Sequence, residues 1–161
     1  MRQSLLAVLL VSLIAAPAWS QVAKPNLSGT WSLDVAKSDF GPSPPPESIV
    51  HVIDHKDPNI TLTTTAKTEA GESTNRQNLS TDGKENVNKI QTFGVEREMR
   101  STGKWDGEKL LMSTKFDIQG TQVEFNDSWT LAADGKVLTL VRSAKTPQGD
   151  ISVKTVYNKQ P

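Results

Sequence analysis

Glycine punctuates this chain at a nearly even beat, and no helical pattern survives between the marks. Ala70-Gly71, Asp82-Gly83, Phe93-Gly94, Asp106-Gly107, Gln119-Gly120, Asp134-Gly135 and Gln148-Gly149 recur at intervals of roughly a dozen residues, the length of one strand and one tight turn. Asp-Gly favours a two-residue hairpin loop, because a type I′ turn needs positive φ at both central positions. After Ser20 no segment sustains apolar residues at a 3.6-residue period. The expected strands are Ser28–Val35, Glu47–Asp54, Asn59–Thr68, Glu72–Ser80, Glu85–Thr92, Val95–Trp105, Glu108–Ile118, Thr121–Ala132, Lys136–Ala144 and Asp150–Asn158. Open sheet edges invite association, and closing the sheet on itself removes them. The expected fold class is therefore all-β, an up-and-down antiparallel β-barrel of about 8–10 strands. The stretch Ser38–Pro46, with Pro42 and Pro44-Pro45-Pro46, cannot be helical and reads as an extended connector or lid.

The start of the chain reads as an address. A short cationic beginning, Met1-Arg2-Gln3, leads into an apolar run from Leu5 to Ala16, and small residues at Ala18 and Ser20 suit cleavage before Gln21. That run falls short of the ~20 residues needed to cross a bilayer. The expectation is a signal peptide over residues 1–20 and one exported barrel domain over 21–161, in a bacterial periplasm or outside the cell. The mature chain is expected to be a monomer without a transmembrane segment. There is no cysteine, so disulfide scaffolds, thiolate zinc sites and cysteine nucleophiles are excluded. Eighteen basic and 18 acidic residues cancel, which leaves no basic face for nucleic acid.

Alternation assigns the faces. Glu96, Glu98, Arg100, Thr102 and Lys104 form a polar outward row, so Val95, Arg97, Met99, Ser101, Gly103 and Trp105 face in. A two-residue loop at Asp134-Gly135 sets Leu131 against Leu138, Trp129 against Leu140, Asp127 against Arg142 and Phe125 against Ala144. The same rule at Gln119-Gly120 sets Leu110 beside Trp129 and Met112 beside Asp127. At Asp106-Gly107 it sets Ser101 beside Met112 and Arg97 beside Phe116. If Phe93-Gly94 is a tight turn, Asn86, Asn88 and Thr92 also face inward; the polar stretch Glu72–Thr92 is then either a wet wall or a sheet edge.

A charged pair, Asp127 and Arg142, thus sits within an apolar wall, where an unpaired charge would cost several kcal/mol. It is either a structural ion pair, internal or at the barrel rim, or part of a site in which Arg142 and Arg97 orient the polar end of an apolar ligand. Met99, Met112, Phe116, Phe125 and Trp129 supply the wall. His51 and His55 share one face of their strand, but neither a cysteine nor an inward carboxylate is placed beside them; they are read as surface strand residues, and no metal or cofactor is implied. There is no G-x-S-x-G elbow and no glycine-rich phosphate loop. Asp127 is the one candidate general base for an enzyme.

Gly29-Thr30-Trp31 resembles the G-x-W signature of the calycins, the superfamily of lipocalins and fatty-acid-binding proteins. Ser28–Leu33 and Lys154–Lys159 look like the two ends of a fatty-acid-binding protein, and ten strands fit that branch. The sequence also resembles small exported bacterial lipocalin-like proteins without an assigned function. The resemblance implies structural roles for Gly29 and Trp31, with a late-strand arginine, Arg142, packed across Trp31. It also implies a head-group role for Tyr157, which the chain keeps where the family has Arg-x-Tyr, although Thr155 replaces the arginine. The helical lid of those relatives is replaced here by the proline-rich stretch. Three functions follow in order: an exported barrel that binds a small apolar or amphipathic molecule through Arg97, Arg142 and Tyr157, a ligand-free envelope or interaction module with a filled barrel, and a small-molecule enzyme using Asp127.

Overall fold

The computed structural model describes residues 24–161 apart from 93, 119, 147 and 148, so the expected signal peptide and its cleavage point before Gln21 lie outside the described residues. The strands are β1 (Gly29–Leu33), β2 (Ser48–Lys56), β3 (Asn59–Thr68), β4 (Gly71–Ser80), β5 (Asp82–Thr92), β6 (Val95–Asp106), β7 (Lys109–Ile118), β8 (Thr121–Leu131), β9 (Val137–Thr146) and β10 (Gly149–Lys159). All ten join one antiparallel sheet in the order β4-β3-β2-β1-β10-β9-β8-β7-β6-β5. The first strand pairs with the last, Trp31 opposite Lys159, and this bends the meander toward closure. Among the described residues no helix is long and apolar enough to cross a membrane.

The two edges of the sheet, β4 and β5, are consecutive in the chain and meet each other without a backbone ladder. Carboxamides take the ladder's place. Asn88 accepts from the Asn78 amide (2.7 Å) and donates to its carbonyl (2.9 Å), and Asn75 does the same for Gln91 (2.7 and 3.0 Å). A side-chain amide has the donor and acceptor of a peptide group, so it can pair where a backbone cannot reach. The polar stretch Glu72–Thr92 is thus the sheet edge, sewn shut from within. Asp82-Gly83 accordingly does not close a paired hairpin. Asp82 is recruited instead to β6, opposite Lys104, with a bulge before Glu85.

The loops at Asp134-Gly135 and Gln119-Gly120 give the expected registers: Asp127 opposite Arg142, Trp129 opposite Leu140, and Met112 opposite Asp127. The loop at Asp106-Gly107 does not. Asp106 pairs with Lys109, so the loop residues are Gly107 and Glu108, and the register moves by two. Met99, not Arg97, then faces Phe116, and Gly103, not Ser101, faces Met112. Packing explains the choice: a Cβ on Gly103 would lie 2.5 Å from the Met112 sulfur and would collide with the Ser80 carbonyl oxygen. A shift of two preserves which side chains face inward, so the interior survives the correction.

One end of the barrel is filled. Leu27, Trp31, Ile53, Ile60, Leu62, Leu79, Leu110, Met112, Trp129, Leu138 and Tyr157 form its core, each at most 6% exposed. The N-terminal segment caps this base, with the Leu27 carbonyl accepting from the Trp31 indole (3.0 Å). At the opposite end the connector between β1 and β2 makes one 3-10 turn, Val35–Lys37, and then runs beside β10 through a bridge between Asp39 and Lys154.

Candidate functional site

Above the filled base, β8 and β9 bring Asp127 and Arg142 to the inner face in register. Arg142 donates from Nε to one carboxylate oxygen and from Nη2 to the other, both at 2.7 Å. Asp127 is 7% exposed, whereas 51% of the arginine side chain remains open. The arginine thus faces inward from β9 with half of its side chain open. Burial works against its charge, and the bonds it donates to Asp127 outweigh this and hold the guanidinium firmly protonated. Its central carbon lies 5.0 Å from the centre of the Phe125 ring, and Phe125 stacks on Phe116 with ring centres 5.5 Å apart.

Two further polar groups face this pair. The Tyr157 ring packs 4.5 Å from that of His51, and burial pushes its hydroxyl above the ordinary phenol range. The His51 Nδ1 lies 2.9 Å from the Thr64 hydroxyl. Burial first, and the Arg142 charge second, lower its pKa to about 4, so it is neutral at pH 7. The two histidines are therefore not surface residues: His51 and His55 are each 7% exposed and point inward. Their strand reads Ile49, His51, Ile53, His55 on one row, and the isoleucines between them carried the signal of an inward face.

His55 belongs to the base. Its Nδ1 accepts from the Leu27 amide (3.2 Å), and its Nε2 lies 3.7 Å from Asp57. Asp57 accepts from the Thr81 hydroxyl (2.6 Å), the Trp105 indole (3.0 Å) and Lys24 (3.0 Å). Those bonds, the one from Thr81 foremost, hold its pKa near 2. Among the described residues no cluster of three or more His, Cys, Asp or Glu is placed to hold a metal ion.

The other expected site residues divide between the two ends. Met112 and Trp129 lie in the filled base. Met99 is buried opposite Phe116, and Phe116 and Phe125 are half-buried beside Arg142. Arg97 sits at the rim, donating to the Asp117 carbonyl (3.0 Å). The cation over Trp31 is Lys159, 5.2 Å from the ring, and not Arg142, whose ring partner is Phe125. Pairing explains the exchange, since Lys159 lies directly opposite Trp31 on the neighbouring strand. A cavity of about 580 Å³ lies along β6–β9, lined by outward residues such as Thr102, Lys104, Leu111 and Asn126 and also by Met112 and Asp127.

No family model matches the sequence, and no curated protein matches it. Solved structures do. Zebrafish ileal bile acid-binding protein, solved with cholic acid, is similar with a TM-score of 0.57 at 14% identity, over 83% of this chain and 98% of that one. Secretory abundant heat soluble protein 4 from Ramazzottius varieornatus is similar with a TM-score of 0.59 at 16% identity, over 87% of this chain and 98% of that one. At such identities the likeness establishes architecture alone. Ten antiparallel strands, a Trp-anchored base and the match to these barrels together give the chain a calycin-like β-barrel fold.

Proposed function

We propose that this protein is an exported barrel that binds a small, mainly apolar molecule, with the ligand's polar end directed to Arg142. The observation that carries the reading is the half-open Arg142 guanidinium on the inner wall, seated on buried Asp127 and flanked by Phe125 and Phe116. Phe116, Phe125 and Met99 form the apolar wall of the site, Tyr157 adds a polar contact beside Arg142, and Arg97 serves at the rim. Met112 and Trp129 close its floor. The bile acid-binding protein among the structural neighbours binds cholic acid, an amphipathic molecule, which supports a ligand of that general character here. Export to a bacterial periplasm or exterior follows from the first twenty residues.

A second reading has its own support: the filled base and the cavity along β6–β9 suit an interaction module that presents its outer wall to a partner. The experiment that separates the two starts from the full precursor expressed in a bacterial host. The exported form is purified, and its native and denaturing mass spectra are compared. The denaturing mass reports whether cleavage precedes Gln21. Excess mass that denaturation removes is expected and identifies a bound small molecule. No excess mass, together with unchanged tryptophan fluorescence on adding long-chain alcohols or fatty acids, would overturn the binding reading in favour of the module.

A further inference from the structure

We propose that the barrel selects an uncharged amphiphile, such as a long-chain alcohol or ester, over the corresponding carboxylate. The proposal rests on the small-molecule-binding reading and specifies its ligand class. It follows from the charges and free donors at the site.

Arg142 and Asp127 are ion-paired to each other through two hydrogen bonds, so the positive charge that would attract a carboxylate is already balanced. The groups that face the pair bring no further charge at pH 7. His51 is buried and neutral, and Tyr157 is a buried phenol. A carboxylate entering here must shed its water and then meets a neutralised guanidinium with the Asp127 carboxylate directly behind it. Burying an ion without a free counter-charge is unfavourable, whereas a hydroxyl or carbonyl asks only for a hydrogen bond.

The site offers that bond. Arg142 uses Nε and Nη2 on Asp127, and among the described residues Nη1 has no hydrogen-bond partner. The side-on pairing turns Nη1 away from the carboxylate, on a side chain that is half open. Among the described residues three of the five N–H groups of Arg142, two on Nη1 and one on Nη2, stay unused, and a hydroxyl or carbonyl can accept from them without bringing a charge.

Arg97, the other inward-row cation, does not supply the missing charge. It lies on β6 two residues beyond Met99, and so level with Ile118 and its partner Thr121 on β8. Six residues of strand separate Thr121 from Asp127, about 20 Å at the usual rise. That exceeds the screening length of physiological salt, and the guanidinium is already held by the Asp117 carbonyl in an exposed position.

The test uses the exported protein, stripped of bound molecules, in equilibrium dialysis at pH 8 with dodecanoate, methyl dodecanoate and 1-dodecanol. Dodecanoate and its methyl ester share a chain and a carbonyl and differ in charge. The ester and the alcohol are expected to bind about tenfold tighter than dodecanoate, or more. Because an uncharged chain is also more apolar, the deciding readout is the change on Asp127→Asn, which releases the Arg142 charge. That variant should tighten dodecanoate by about tenfold and move the ester by less than about twofold. Asp127→Ser gives a second route to the same readout. Wild-type protein that binds dodecanoate as tightly as the ester overturns the selectivity and leaves the binding reading standing. Failure of all three ligands to bind overturns both. Tightening of ester and carboxylate alike in the variants would show that Asp127 governs access and not charge, and would also overturn the selectivity.

Discussion

Replacing Arg142 with methionine keeps most of the side-chain length and removes both hydrogen bonds to Asp127. The carboxylate, 7% exposed and bonded to no other described residue, is then left without a partner. Breaking a buried ion pair from one side costs about 3–5 kcal/mol. The open half of Arg142 shows that water reaches the upper side of the pair, which places the expected loss at the low end, about 3 kcal/mol. For a chain of this size that corresponds to a fall in Tm of about 10 °C. Thermal unfolding followed by circular dichroism would measure it, with urea titration to confirm that the m-value is unchanged. The double replacement Arg142→Met with Asp127→Leu removes the stranded charge as well and should recover most of the loss, because a well-packed apolar pair replaces a buried ionic one at little cost. A single variant that melts within 2 °C of wild type, on the order of measurement error, would refute the burial of an unpaired charge. A double variant as unstable as the single would show that the loss came from packing and not from electrostatics.

Two further outcomes follow from the same geometry. His51 is depressed from its ordinary pKa of 6.5 to about 4, so the unfolded chain takes up a proton that the folded one refuses. Its share of stability is complete above about pH 6.5 and is lost as pH falls to about 4, amounting to about 3 kcal/mol over that window. His51→Gln should flatten this part of the pH–stability profile, and an unchanged acid slope would refute the assignment. At the seam, Asn88→Asp removes the donor to the Asn78 carbonyl while keeping an acceptor for its amide, and should cost about 1–2 kcal/mol. Hydrogen exchange should report that loss as faster opening of β4 and β5, with β8 and β9 unaffected; uniform acceleration would mean that the seam is not a separate unit.

Most of the architecture was legible in the chain because two local rules coincide. Alternation sets which side chains share a face, and the glycine turns set where each strand ends; together they placed all ten strands within a few residues of their positions. They also set Asp127 opposite Arg142, since register across a two-residue loop is a purely local consequence. The local rule failed where distant strands intervened. At Asp106-Gly107 the register moved by two to let Gly103 receive Met112 and the Ser80 carbonyl, and at Asp82-Gly83 the chain left one partner for another to bring the two sheet edges together. Nothing local to Asp106 or Asp82 encodes those neighbours.

The sequence by itself therefore determined the strands, the inward rows and the charged pair. Only the tertiary structure decided how each inward residue is used, because burial depends on what closes over a side chain from strands remote in the chain. Met112 and Trp129 fell to the filled base while Phe116 and Phe125 stayed half open. Lys159 took the place over Trp31 that Arg142 was expected to fill, because closing the sheet sets β10 beside β1. The same closure buried His51 against Tyr157, within reach of the Arg142 charge, and made neutral a side chain whose sequence neighbours gave no sign of its charge state. Alternation can name the face of a residue; its depth and its electrostatic company are set only when the barrel closes.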